Sequence, residues 1–164
     1  RITADNPLID PSIIDSCIEE FQKKDYDYVS STISKKNNAW QYDLNGFPHG
    51  MAVEVFSLTS LEKAWKNAKL KSEKEHVTPY IIKNQDSFHL GFIKNKENFS
   101  NIRLTVDHKE DFELIKYLIE HIPLNKFFKM SEIIEYLKNN NSILESNSKF
   151  SFDEGYLKSL QNEQ

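Results

Sequence analysis

The chain has 164 residues, enough to bury a core of its own, and its 38% apolar and 12% aromatic content excludes a disordered segment. Its 21 basic side chains lie interspersed among 25 acidic ones, for a net charge of −4, which argues against a dedicated nucleic-acid binder with a basic stripe. The lone cysteine, Cys17, forbids an internal disulfide and suits a reducing, cytoplasmic setting, and no apolar run is long enough to span a bilayer.

Arg1-Ile2-Thr3 reads as a strand already under way, with no starting methionine, so a preceding segment is expected. It runs into a loop at Ala4-Asp5-Asn6-Pro7. Asp10-Pro11 then opens a helix, because Asp at the N-cap accepts from orphan amides and Pro at the first helical position gives up no hydrogen bond. Ile13, Ile14, Cys17, Ile18 and Phe21 recur at helical spacing on its apolar face, with Cys17 as inert core. A short strand is expected over 26–30, followed by a polar loop over 31–47 that contains Asn37-Asn38 and Asn45-Gly46.

Residues 51–56 read as the next strand, with Glu54 on the face opposite Val53 and Val55. Thr59 and Glu62 have capping-box spacing and predict a helix with Leu61, Ala64, Trp65 and Ala68 inward. A helix over 73–82 must bend or break at Pro79. Strands are expected over 88–93 and 102–106. Asp107 and Glu110 then predict a capped helix with Phe112, Ile115, Leu118, Ile119 and Ile122 inward, stopped by Pro123. Ser131 is expected to cap a further helix carrying Ile133, Ile134 and Leu137, and a short helix over 153–160 closes the chain. Strands alternate with helices, and no repeat or linker is visible. The expectation is one α/β domain over residues 1–164 with a mixed sheet.

Two aspartates directly follow predicted strands, Asp5 and Asp107. Ligands of open α/β sheets bind beyond the carboxyl ends of strands, and magnesium commonly takes one or two carboxylates together with phosphates and waters. The residues alone leave other readings open: Asp107 also suits a helix cap, and Asp5 before Asn-Pro suits a turn. His76, beside Glu75 on a helical segment, could bond an anionic or hydroxylated ligand or serve structure alone. Glu54 needs a partner if it is buried. His49-Gly50 reads as a turn. No zinc-ligand spacing, P-loop, dinucleotide loop or Gly-x-Ser-x-Gly motif is present.

Five strings, in order, resemble the cytidylyltransferase family of the spore-coat polysaccharide biosynthesis type, related to CMP-sugar synthetases such as the 3-deoxy-manno-octulosonate and acylneuraminate cytidylyltransferases. They are Arg1-Ile2-Thr3-Ala4-Asp5-Asn6-Pro7-Leu8-Ile9-Asp10, Phe47-Pro48-His49-Gly50 running into Val53-Glu54-Val55-Phe56-Ser57, Glu75-His76-Val77-Thr78-Pro79-Tyr80-Ile81, Arg103-Leu104-Thr105-Val106-Asp107 with Glu110-Asp111, and Gly155-Tyr156-Leu157-Lys158-Ser159-Leu160. The resemblance covers nearly the whole chain. Relatives often carry an acidic residue two positions before Glu54, where this chain has Ala52. They also begin with a basic, glycine-containing triphosphate loop that has no counterpart here, so the chain is expected to be the C-terminal part of such a domain.

The resemblance implies a nucleotide-diphospho-sugar transferase fold, a Rossmann-like three-layer sandwich lacking its N-terminal strands. It implies transfer of CMP from CTP to a sugar or sugar acid with release of pyrophosphate, Asp5 and Asp107 sharing Mg2+, and His76 as a sugar contact, with Glu75 and Glu54 as further candidates. The implied partners are CTP and a sugar acceptor, with neither nucleic acid nor membrane; homodimers of the wider group make a second copy a candidate partner. By itself the fragment is expected to be inactive. Two rival readings keep the fold: a glycosyltransferase or a nucleotidyltransferase using another base, and a non-catalytic sugar-binding or assembly module.

Overall fold

The computed structural model describes residues 1–123, 127–150, 152 and 154–161. Helix α1 (Pro11–Lys23) starts as its sequence dictates, with Asp10 accepting from the Ser12 backbone N–H. Ile13 and Cys17 are buried on its inner face, while Ile18 turns outward. Burial raises the Cys17 thiol pKa to about 12, which leaves it inert. Strand β1 (Tyr28–Ser30) is flanked by antiparallel β4 (Glu54–Phe56) and parallel β5 (Leu90–Phe92), a mixed sheet of order β4-β1-β5.

Register explains how the sheet is covered on both faces. Tyr28 lies opposite Phe56 and Leu90, and these three join an apolar cluster with Ala64 of α2 (Leu58–Asn67) and with Ile81 and Ile82 of α4 (Pro79–Lys83). Val55 and Ile93 point the other way, toward a larger cluster built with α1, α5 (Lys109–His121) and α6 (Met130–Asn139). The result is the α/β layering that the alternation of elements predicts.

The expected loop over 31–47 instead contains a hairpin, β2 (Ile33–Lys36) and β3 (Ala39–Tyr42). Its turn residues Asn37 and Asn38 have φ of 50° and 64°, the left-handed pair that a type I′ turn requires and that Asn tolerates. Glycine meets that requirement at lower cost, so Asn38→Gly should stabilise the chain by about 0.5 kcal/mol in urea unfolding.

Other expectations yield to better-placed partners. Arg1 to Thr3 is not a regular strand, although the Arg1 carbonyl accepts from Glu54 N–H at 3.1 Å. Ser57, not Thr59, caps α2, and Trp65 on that helix is 74% exposed rather than inward. The bent helix is two helices, α3 (Lys71–His76) and α4, separated where Val77 takes a φ of 72° ahead of Pro79. Residues 102–106 make one parallel bridge, His49 to Arg103, instead of a strand. Gly50 beside that bridge is mandatory: its φ is 103°, and an added Cβ would lie 2.5 Å from the Leu104 carbonyl carbon.

Helix α5 buries Leu114, Ile115 and Leu118, with Ile122 just past its end, but exposes Phe112 and Ile119. Its first turn is capped by Asp111 accepting from the backbone N–H groups of Asp107 and His108, not by the carboxylate of Asp107. Helix α6 begins at Met130, whose N–H donates to Asp10 across the core, so Ser131 is not its cap. Helix α7 (Glu154–Gln161) closes the described chain; the expected helix start at position 153 lies outside the described residues.

Candidate active site

The carboxyl end of β1 leads into Thr32, and Glu54 pairs with Ser30 at that same end. A cleft of about 240 Å3 opens there, where α/β sheets hold their ligands. Asp5 and Asp107 both line it, together with His49, Glu54, His76 and Tyr156. Two positions about a hundred residues apart thus meet in one cavity. The backbone does this directly: the Asp5 carbonyl accepts from Val106 N–H at 2.9 Å and from the Thr105 hydroxyl at 3.2 Å.

The two carboxylates are held differently. Asp5 Oδ1 is buried and accepts no hydrogen bond among the described residues, a costly state for an acidic oxygen unless a ligand satisfies it. Asp107 is half exposed, and its Oδ2 accepts from Arg103 Nη2 at 2.6 Å. Because Asp111 does the capping, the Asp107 side chain is left to face the cleft. Among the described residues, no group of three or more His, Cys, Asp or Glu forms a metal cage. A cation here would therefore have to be a hard one that draws its remaining ligands from phosphate and water.

Arg103 is the residue that sequence reasoning missed. It is buried, donates from Nε and Nη2 to the two oxygens of Asp111 at 2.9 Å each, and also bonds Asp107 and His49 Nδ1. Burial opposes ionisation of Asp111, but the bonds from Arg103, Asn147 and two backbone N–H groups outweigh it and bring its pKa to about 2. The signal was present in the sequence as a basic residue inside the apolar run Ile102 to Val106.

His49 is also more than a turn residue. Arg103 can only donate, so the imidazole Nδ1 must accept and the ring proton sits on Nε2. Burial, with the Arg103 charge beside it, lowers the His49 pKa to about 4. A depressed histidine favours the native state above its ordinary value near 6.5, and this contribution is lost as pH falls through about 4. The His49 ring signals in NMR should accordingly show no titration between pH 5 and 8; a midpoint near 6.5 would refute the arrangement.

Glu54 is buried and fully engaged. It accepts from Tyr28 at 2.5 Å and Thr78 at 2.6 Å, and it pairs with Arg1. Its partnership satisfies the requirement stated for a buried carboxylate. His76 lines the cleft, whereas Glu75 does not; Glu75 instead accepts from Ser159 on α7 at 3.0 Å. Aromatic walls complete the cavity: Tyr156 meets Tyr42 and His76 edge-on, and Phe152 meets His49. Aromatic faces and hydroxyl-bonding groups beside a pair of carboxylates give the cleft the mixed apolar and polar lining of a small-molecule site.

The comparisons agree with the class. The cytidylyltransferase family model matches residues 1–150, and the chain belongs to that family. It is 39% identical over 150 residues to an uncharacterised protein of Methanocaldococcus jannaschii, covering 90% of this chain and 56% of the relative. It is 32% identical over 143 residues to the spore coat polysaccharide biosynthesis protein SpsF of Bacillus subtilis, covering 85% of this chain and 54% of that one. A solved cytidylyltransferase from Leptospira borgpetersenii superposes with a TM-score of 0.73 at 31% identity, over 90% of this chain and 58% of that one. The chain thus spans a little over half the length of the relatives it matches. No described helix is long and apolar enough to cross a membrane.

Proposed function

We propose that the intact protein transfers CMP from CTP to a hydroxyl of a sugar or sugar acid, releasing pyrophosphate, in the assembly of a cell-surface polysaccharide. The observation that carries this reading is the buried Asp5 carboxylate oxygen, without a hydrogen bond among the described residues, in the same cleft as Asp107. Asp5 and Asp107 would hold Mg2+, which when bound neutralises charge on phosphate oxygens. The rest of the work belongs to positioning, which dominates phosphoryl-type transfer.

In this reading Arg103 fixes Asp107 at one oxygen and leaves the other for the ion. His49 offers a neutral Nε2–H donor. The Tyr42 and Tyr156 rings present flat apolar surface to a sugar ring, with polar tips for its hydroxyls. Burial and the nearby Glu54 carboxylate raise the Tyr42 pKa, so its hydroxyl stays a donor throughout the working range.

Calorimetry of the intact protein with CTP, in Mg2+ and in EDTA, tests the reading. Metal-dependent binding of CTP in preference to ATP, GTP and UTP is expected. Binding of another nucleotide in its place would move the chemistry to a different base, and metal-independent sugar binding with no nucleotide affinity would make the protein a non-catalytic module.

A further inference from the structure

Helix α7 lies beyond the stretch matched by the family model, yet it supplies Gly155 and Tyr156 to the cleft and carries Ser159. Ser159 Oγ is 2.9 Å from His76 Nε2, 3.0 Å from Glu75 Oε2 and 3.2 Å from the Gly155 carbonyl oxygen. A hydroxyl has one proton, and the carboxylate and the carbonyl can only accept it. The bond to His76 must therefore be made by the imidazole, with Nε2–H donating to the serine lone pair. In the neutral ring Nδ1 is then the nitrogen that carries the lone pair, with no hydrogen bond to it among the described residues, on a ring that lines the cleft and is braced edge-on by Tyr156 at 5.4 Å.

The other basic groups of the described lining are already committed. Glu54 already accepts from Tyr28 and Thr78 and pairs with Arg1. The Nδ1 atom of His49 accepts from Arg103, which leaves that ring only a donor. Asp5 and Asp107 are the carboxylates assigned to the ion.

We infer that His76 accepts the proton of the attacking sugar hydroxyl, and that Ser159 and Glu75 are positioning residues that hold its Nδ1 lone pair free. This rests on the cytidylyl-transfer reading above. The hydroxyl oxygen forms a bond to the α-phosphorus. The bond from that phosphorus to the α,β-bridging oxygen breaks, and its electron pair leaves with pyrophosphate. The hydroxyl proton passes to Nδ1 and from there to water. Catalysis thereby depends on a helix outside the family's matched stretch.

The test uses the intact enzyme, Mg2+-CTP, and a panel of free aldoses, amino sugars and 2-keto sugar acids, read by pyrophosphate release. His76→Gln keeps a polar group toward Ser159 but cannot take a proton, so kcat should fall about 10²–10⁴-fold with CTP affinity and acceptor KM retained. Ser159→Ala should cost roughly tenfold in kcat, as loss of an orienting partner does, and Ser159→Thr should restore it. Imidazole 15N shifts should show His76 as the Nε2–H tautomer in the wild type and as a mixture in Ser159→Ala; this arm needs no acceptor.

A wild-type kcat in His76→Gln, a loss confined to acceptor KM, or a His76 ring protonated on Nδ1 would overturn the inference while leaving metal-dependent CTP binding in place. Loss of that CTP binding in the wild type would instead overturn the reading on which it rests.

Discussion

In the intact enzyme, Asp5→Asn should lower kcat/KM by about 10³-fold or more, the scale seen when one preorganised electrostatic contact to a reacting group is removed. It should do so without loss of apo-protein stability. One Asp5 oxygen is buried and accepts no hydrogen bond among the described residues. An acidic oxygen in that state is a liability to the empty fold, made worse by Glu54 and Asp107 lining the same cleft. The amide removes the charge and keeps the shape, so the apo melting temperature should stay level or rise by a few degrees.

On the proposed reading, what the amide loses is the hold on the ion. Millimolar Mg2+ with CTP should raise the melting temperature of the wild type and leave Asp5→Asn unmoved, because a ligand stabilises only the state that binds it. Asp107→Asn should behave alike, since an amide oxygen can still accept from Arg103. Turnover at the wild-type rate in either variant would refute the shared-ion arrangement.

The parts of this site that the sequence discloses are those fixed by local chemistry. Asp10-Pro11 announces its helix because capping needs only neighbouring atoms, and the apolar spacing of α6 correctly marks Ile133, Ile134 and Leu137 as core. The α/β layering follows from alternation. What stays hidden depends on distant partners. Trp65 and Phe112 sit at inward-looking positions of their periodic patterns, yet the faces they occupy find no neighbour and remain exposed. The β2–β3 hairpin escapes because its strands carry little apolar alternation and its turn uses Asn-Asn in place of the stronger Asn-Gly.

The same division holds in the cleft. Asp5 and Asp107 are legible as acids after extended segments, and the resemblance pairs them. The roles of Arg103, Asp111, His49 and Ser159 are set by contacts spanning as many as 84 positions, which no local pattern records. Asp107 illustrates the gap best. Its sequence context reads as a cap, and only the reach of Asp111 back to two backbone N–H groups frees it for the cleft.

That reach makes Asp111 the position whose loss should cost the fold most. It is fully buried, takes both bonds of the Arg103 fork, accepts from Asn147 and caps α5. Asp111→Ala would take from a buried guanidinium its fully buried carboxylate partner, and the other described carboxylate, Asp107, is half exposed. Breaking a buried ion pair from one side typically costs about 3–5 kcal/mol. Urea unfolding at pH 7 should register a loss of that size, a large part of the roughly 5–15 kcal/mol available to a domain.

The pH dependence follows with a definite sign. The Asp111 carboxyl is depressed from 3.8 to about 2, so its contribution is fully present above pH 3.8 and disappears as pH falls through about 2. That shift corresponds to about 2 kcal/mol, and Asp111→Asn should flatten the acid limb of the stability curve between pH 4 and 2 by that amount. The magnitude also decides what the network is for. If Asp111→Ala unfolds within 1 kcal/mol of the wild type, the remaining contacts of Arg103, those to Asp107 and His49 among them, suffice to hold it, and the arginine is then a partner of the candidate metal site rather than a brace behind it.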